Sequence, residues 1–165
     1  MTIEIKDNFL NNYDFELLQK AFLGGLFPWF YAEITAKTYQ PKILHDFQFC
    51  HTLVYENETT SDYVPFLNPF IEYLKPSYIK RIKANLTTVN DKIRKGIFHR
   101  DYDDPNVYTS IYYINSTNGG TLFEDGTRIE CVENRLITFS KQPMHAPELH
   151  TNSKIRCVIN FNYYL

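Results

Sequence analysis

VYTSIYYINSTNGGTLFEDGTRIECVENRLITFSKQPMHAPELHTNSKIRCVINFNYY, residues 107–164, is the stretch that decides the fold. Within it, VYTSIYYIN (107–115), GTLFEDG (120–126), TRIECV (127–132), RLITFS (135–140) and KIRCVINFNYY (154–164) alternate apolar and polar residues. Each run is short, rich in β-branched and aromatic residues, and bounded by Asn, Gly, Asp or Pro, so each reads as a strand. Antiparallel strands with one buried face produce this period-2 pattern. The same texture begins upstream with YIKRIKANLTTV (78–89), and FQFCHTLVY (47–55) reads as a further strand.

The first part of the chain is different. A short strand is predicted from Thr2 to Ile5, then a helix from Tyr13 to Leu23. Phe15, Leu18 and Phe22 share one helical face, Asn12 caps the start and Gly24-Gly25 stops the end. FPWFY follows at 27–31, with Trp29 as a core anchor where helices meet sheet. A second helix is predicted over Pro65–Leu74, ended by Pro76. Two helices and about eight short strands predict an α+β, mainly β fold: a helical layer on a β-sandwich or jelly roll. No repeat or linker divides residues 1–165, so they read as one domain, 1–78 supporting a strand-rich core over 79–165.

Composition narrows the function. The 165 residues carry 17 Lys and Arg against 19 Asp and Glu, a formal charge of −2, which argues against a basic nucleic-acid binder. Charged residues are 22% and aromatics 16%, the reverse of a disordered composition. No stretch approaches the ~18 apolar residues of a membrane span and MTIEIKDNFL lacks a signal-peptide core, so a cytoplasmic protein is expected. Cys50, Cys131 and Cys157 form no CxxC pair and read as buried thiols.

Five histidines are candidates for chemistry: His45, His51, His99, His145 and His150. His99-Arg100-Asp101 sets an imidazole and a carboxylate two apart on a strand-like run, hence on one face. A third ligand from a later strand would complete a 2-His-1-carboxylate triad, which suits ferrous iron and leaves positions open. His145 and His150 are rivals for that place. A lone HxD is also compatible with a solvated strand end. Arg156, on the last strand, can pair bidentately with a carboxylate. His51 reads as structural, with a substrate-facing role as the alternative, and Lys92, Arg94 and Lys95 as a solvated face or entrance loop.

In order, HRD, SIYYIN, NGGTLFEDG, ENRLITFS, MHAP and KIRCVINF resemble the prolyl 4-hydroxylase-like branch of the 2-oxoglutarate- and Fe(II)-dependent oxygenases. DNFL, FPWFY, FQFCH and RIKANLTT resemble the compact single-domain members of phages and other microbes. The resemblance implies a double-stranded β-helix (jelly roll) core with supporting N-terminal helices. It implies His99, Asp101 and His145 as iron ligands and Arg156 as the partner of the distal carboxylate of 2-oxoglutarate. Tyr113 matches a position whose hydroxyl often reaches that carboxylate; Thr151 is a further candidate contact on the opposite side, and Asn85 and Thr87 either face the cosubstrate or pack in the strand core. Gly119-Gly120 matches a family pair that permits a tight turn, and His150 falls to a pocket-rim or surface role.

The implied activity uses Fe(II), 2-oxoglutarate and O2 to hydroxylate a C–H bond, releasing succinate and CO2. A prolyl residue of a peptide or protein is the first substrate to consider; a free amino acid or small metabolite is another. An oxidative nucleic-acid demethylase would carry a second arginine six residues after the first, where this chain has Asn162. A non-catalytic jelly-roll binding module is the third reading, opposed by the intact triad positions. Neither nucleic acid nor membrane is expected as a partner, and the oligomeric state is unreadable.

Overall fold

The alternation along residues 78–88 and 154–164 serves two different interiors. The structure, a computed structural model, describes residues 2–33 and 47–165; His45 lies outside them. In chain order the elements are β1 (Ile3–Lys6), α1 (Asn12–Leu23), β2 (Phe30–Ala32), β3 (Gln48–Tyr55) and β4 (Glu58–Thr59). A 3-10 turn (Val64–Leu67) then leads into α2 (Asn68–Leu74). After these come β5 (Tyr78–Thr88), β6 (Tyr108–Tyr113), β7 (Gly120–Phe123), β8 (Arg128–Glu130), β9 (Arg135–Phe139), β10 (His145–Glu148) and β11 (Ile155–Tyr164).

The strands form two antiparallel sheets. The large one runs β1-β9-β6-β11-β5-β3-β2, with β4 added to β3, and the small one β10-β7-β8. One face of the large sheet presents Ile82, Ala84, Tyr112, Leu136, Ile159 and Phe161 to Leu18 and Phe22 of α1 and Phe70 and Leu74 of α2. Phe70 shows how tightly this side is built: its ring stacks on Phe161 at 5.0 Å and on Phe9 at 4.9 Å, and meets Tyr112 edge-on at 4.7 Å. The residues between these, Ile111, Tyr113, Ile137, Phe139 and Val158, face the small sheet and pack with Phe123 and Ile129. Trp29 is half-buried against the helical core, as its sequence context suggests.

Local details depart from the sequence expectations. The cap of α1 is Asn11, not Asn12: its side chain accepts from the Asp14 amide, and helical geometry begins at Asn12. The segment Pro65–Leu74 is not one helix, because its first turn is 3-10. It ends as Lys75 adopts a left-handed conformation (φ 48°), one residue before Pro76. Cys50 is half-buried on β3 near the sheet edge, whereas Cys131 and Cys157 are buried. Among the described residues no helix is long and apolar enough to cross a membrane.

Candidate metal and cosubstrate site

Pairing of β5 with β11 sets Arg81, Lys83, Asn85 and Thr87 opposite Asn162, Asn160, Val158 and Arg156. Directly opposed residues share a face, so this largely polar row forms one wall of the space between the sheets. That space is a cavity of about 470 Å3, closed on the other side by Thr121, His145 and Pro147 of the small sheet and by residues 98–103. The opposite face of the same strands is apolar.

The segment before the triad runs alongside β10 without forming a continuous strand. It is tied by isolated bridges, Lys95 to Glu148 and His99 to His145. HRD therefore sits on a bridged loop rather than on a ladder strand, yet the i, i+2 geometry holds. His99 Nε2 is 3.8 Å from Asp101 Oδ1, and one ligand atom from each of His99, Asp101 and His145 lies within 4.8 Å of the others.

Both imidazoles are oriented in the same way. His99 Nδ1 bonds the Ile97 carbonyl at 3.0 Å and His145 Nδ1 that of Pro143 at 3.1 Å, each two residues back. A carbonyl can only accept, so Nδ1 carries the proton and Nε2 offers its lone pair to the centre. His145 Nε2 is buried without a partner. Burial lowers the His145 pKa, with His99 adding and Asp101 and the Pro143 carbonyl opposing, which keeps the imidazole neutral.

Asp101 is held from behind. Asn162 Nδ2 donates to its Oδ2 at 2.8 Å, and the Arg81 guanidinium stands 3.5 Å from Oδ1. Burial pushes its carboxyl up, but the neighbouring His145 imidazole, the Arg81 guanidinium, the Asn162 amide and His99 outweigh it and hold the group below the ordinary carboxylate range. Gln142, also buried, fixes the loop itself. Its Nε2 donates to the Val107 carbonyl and Thr109 Oγ1, its Oε1 accepts from the Tyr102 amide, and its carbonyl accepts from Arg100 Nε.

At the other end of the wall Arg156 is 5% exposed. One of its amino groups donates to the Gly120 carbonyl at 3.1 Å, while Nε is buried with no partner. Its guanidinium carbon lies 5.6 Å from the Tyr113 ring centre. The Tyr113 hydroxyl pairs with Thr121 Oγ1 at 2.7 Å, and burial pushes it up to about 12, so it stays a neutral phenol. Asn85 Oδ1 and Thr87 Oγ1, both facing the cavity, are also buried and unpaired. Unsatisfied buried polar atoms are rare in folded proteins, and their concentration on this wall leaves donors and acceptors free toward the cavity.

Two sequence expectations, for Thr151 and His150, do not match the structure. Thr151 does not line the cavity; its hydroxyl accepts from Asn118 Nδ2 and its amide donates to Asn118 Oδ1, tying down the loop after β10. His150 is neither rim nor surface: it is fully buried, and burial together with the Arg156 charge lowers its pKa. His51 faces the helical side, with Nδ1 on the Pro28 carbonyl at 2.7 Å and its ring beside Phe27. The glycine pair works through close approach rather than a turn. A Cβ on Gly119 would run into the Glu148 carbonyl, and one on Gly120 into that of Ile129. Arg81, Lys83, Asn160, Asn162 and Gln142 were not singled out from sequence as part of this site. The signal for the first four was their even spacing from Asn85 and Arg156 along two paired strands.

The architecture is that of the 2-oxoglutarate- and Fe(II)-dependent oxygenases, the jelly-roll fold of the prolyl hydroxylases among them. The prolyl hydroxylase from Trichoplax adhaerens, solved with a hypoxia-inducible factor peptide fragment, superposes with a TM-score of 0.68 at 14% identity, over 98% of this chain and 83% of that one. A prolyl-4-hydroxylase from Pseudomonas putida gives 0.60 at 12% identity, over 99% and 92%. HygX from Streptomyces hygroscopicus, solved with nickel and 2-oxoglutarate, gives 0.66 at 7% identity, over 98% and 82%. By sequence alone, no family profile and no curated protein matches the chain.

Proposed function

We propose that this chain is an Fe(II)- and 2-oxoglutarate-dependent oxygenase that hydroxylates a C–H bond. The observation that carries the reading is the pairing, in one cavity, of a two-imidazole, one-carboxylate cluster with a buried arginine whose Nε is unsatisfied. That donor set suits ferrous iron, and the orphaned His145 Nε2 fits a metal better than any protein partner. His99, Asp101 and His145 would hold the metal. With metal, cosubstrate and O2 bound, the chemistry supplied is decarboxylation of 2-oxoglutarate to succinate and CO2, coupled to oxygen insertion into the substrate.

The side chains of this protein bind, orient and exclude. Arg156 takes the distal carboxylate through its free donors, with the Tyr113–Thr121 hydroxyl pair alongside and Asn85 and Thr87 on the wall. Asp101 stays ionised because Asn162 and Arg81 hold it so, and the two Nδ1 bonds keep both imidazoles aimed. Ile111, Val158, Met144 and Phe98 give the cavity its apolar sides and limit water. A prolyl residue is the first substrate to test, since the Trichoplax and Pseudomonas enzymes are prolyl hydroxylases; a small molecule is the second.

The test is anaerobic titration with Fe(II) and 2-oxoglutarate, followed by admission of oxygen. A metal-to-ligand charge-transfer band and succinate release are expected. Absence of both would falsify the proposal.

A further inference from the structure

We propose that the cavity contains a second anion subsite, formed by Lys83 and Arg81, that takes a carboxylate of the primary substrate. This rests on the oxygenase reading and adds a substrate class to it: a small acid, or a peptide end, whose carboxylate docks beside the triad.

Arg81 and Lys83 are two apart on β5 and therefore project from the face that lines the cavity. Asn162 and Asn160 stand opposite them on β11. Arg81 is only partly engaged: one amino group reaches Asn162 Oδ1 at 3.2 Å and stands 3.5 Å from Asp101 Oδ1, while Nε is buried with no partner. Lys83 makes no ion pair among the described residues. Burial and the Arg81 charge lower the pKa of its amine, Cys50 and Asp101 opposing, as befits a cation without a close counter-ion.

Charge separates this pair from the cosubstrate. Arg81, Lys83, Arg100 and Arg156 line the cavity against Asp101 and Asp103. A divalent metal and a dicarboxylate cancel each other, so the excess of two positive charges is left for a third component. Arg81 lies six residues along β5 from Thr87, which faces Arg156. At ~3.3 Å per residue that is about 20 Å between Cα atoms, and Lys83 is about 13 Å away. A five-carbon diacid, built from ~1.5 Å bonds, is less than about 7 Å long. Anchored at Arg156, it spans only part of this row, and the Lys83 variants below separate a contact with the cosubstrate from one with the substrate. A cavity of about 470 Å3 has room for both.

The test uses the protein loaded with Zn(II), which does not support the oxygen chemistry, and 2-oxoglutarate. Ligand-observed NMR measures matched acids and amides: each proteinogenic amino acid with its amide, and acetylated dipeptides ending in proline with theirs. At least one acid should bind tenfold or more tightly than its amide. In Lys83→Gln that ratio should fall to near one while 2-oxoglutarate affinity stays within threefold, and Lys83→Arg should restore the preference. The proposal is overturned if no acid outbinds its amide, or if the preference survives Lys83→Gln. It is also overturned if that variant loses tenfold in 2-oxoglutarate affinity, because the carboxylate bound would then be the cosubstrate's. Lys83→Met replaces the glutamine variant if the latter misfolds; if both do, the wild-type ratio decides. Failure of the wild-type protein to bind 2-oxoglutarate at all counts against the oxygenase reading instead, and the acid–amide comparison can then be read on the metal-free protein.

Discussion

Replacing Asn162 with leucine separates the positioning of the triad from its composition. Leucine keeps the branch at Cγ and fills nearly the same space, but it neither donates nor accepts. The side chain is fully buried, and three hydrogen bonds disappear: to Asp101 Oδ2 at 2.8 Å, to Thr109 Oγ1 at 3.0 Å and from Arg81 at 3.2 Å. The bond to the buried carboxylate is worth ~1.5–3 kcal/mol and a neutral one ~0.5–1.5 kcal/mol. Thr109 keeps the Gln142 amide as a partner, and the added apolar burial offsets part of the loss, so a net cost of about 2–3 kcal/mol in urea unfolding of the metal-free protein is expected. A freed Asp101 is no longer aimed at the centre, and loss of such an outer partner typically lowers metal affinity ~10–100-fold. Competition between the protein and a chromophoric chelator for Zn(II) reads this directly. A variant that unfolds more easily yet binds Zn(II) as tightly as wild type would show Asn162 to be structural only, and the positioning argument would fall.

Four further outcomes follow from the same geometry. Arg156→Ala should raise the dissociation constant for 2-oxoglutarate by ~100-fold while leaving metal affinity within a few-fold; calorimetry on the metal-loaded protein distinguishes the two. Gly120→Ala should cost on the order of 1–3 kcal/mol in thermal or urea unfolding, because its Cβ meets the Ile129 backbone rather than a movable side chain. Phe70→Ala should cost ~3–5 kcal/mol without altering the metal affinity of the fraction that remains folded, since its ring serves only the helical core. Asp7, half-exposed and bidentate to Arg135, is held below the carboxylate value of 3.8 mainly by its bond to that arginine. Its contribution, at most ~1 kcal/mol after solvent screening, is therefore present above pH ~4 and lost as pH falls through the lowered value; Asp7→Asn should lose stability at pH 7 and little at pH 2.

The strands were legible because period-2 alternation is a direct trace of sheet geometry. Tyr112 and Tyr113 are adjacent letters that belong to different interiors, and the alternation of apolar side chains on both sides of them said so. The triad was legible for the same reason: HxD places two ligand types on one face whether or not the backbone forms a regular strand. What the sequence did not reveal depended on contacts across the sheet. Asn162 reads as an ordinary polar residue near the chain end until β11 is set beside β5 and Asp101 folds over it. Lys83 and Asn160 face the cavity only through that register. Thr151 was a candidate contact opposite Tyr113, but the local chain turns its hydroxyl to Asn118. His150 had no periodic neighbourhood from which its burial could be read.

The division of β5 and β11 into an apolar face and a polar, under-satisfied one has a consequence for engineering. Stability comes from the side that meets the helices, while the opposite row of Asn85, Thr87, Asn160 and Arg156 leaves buried atoms unpaired. Apolar replacement of Asn85, Thr87 and Asn160 together should therefore give a protein that melts at a higher temperature and binds 2-oxoglutarate more weakly, with the metal cluster and Arg156 left in place. Selection for thermal stability alone would drive this chain toward an inert jelly roll, and any stabilisation campaign should confine its changes to the helical face.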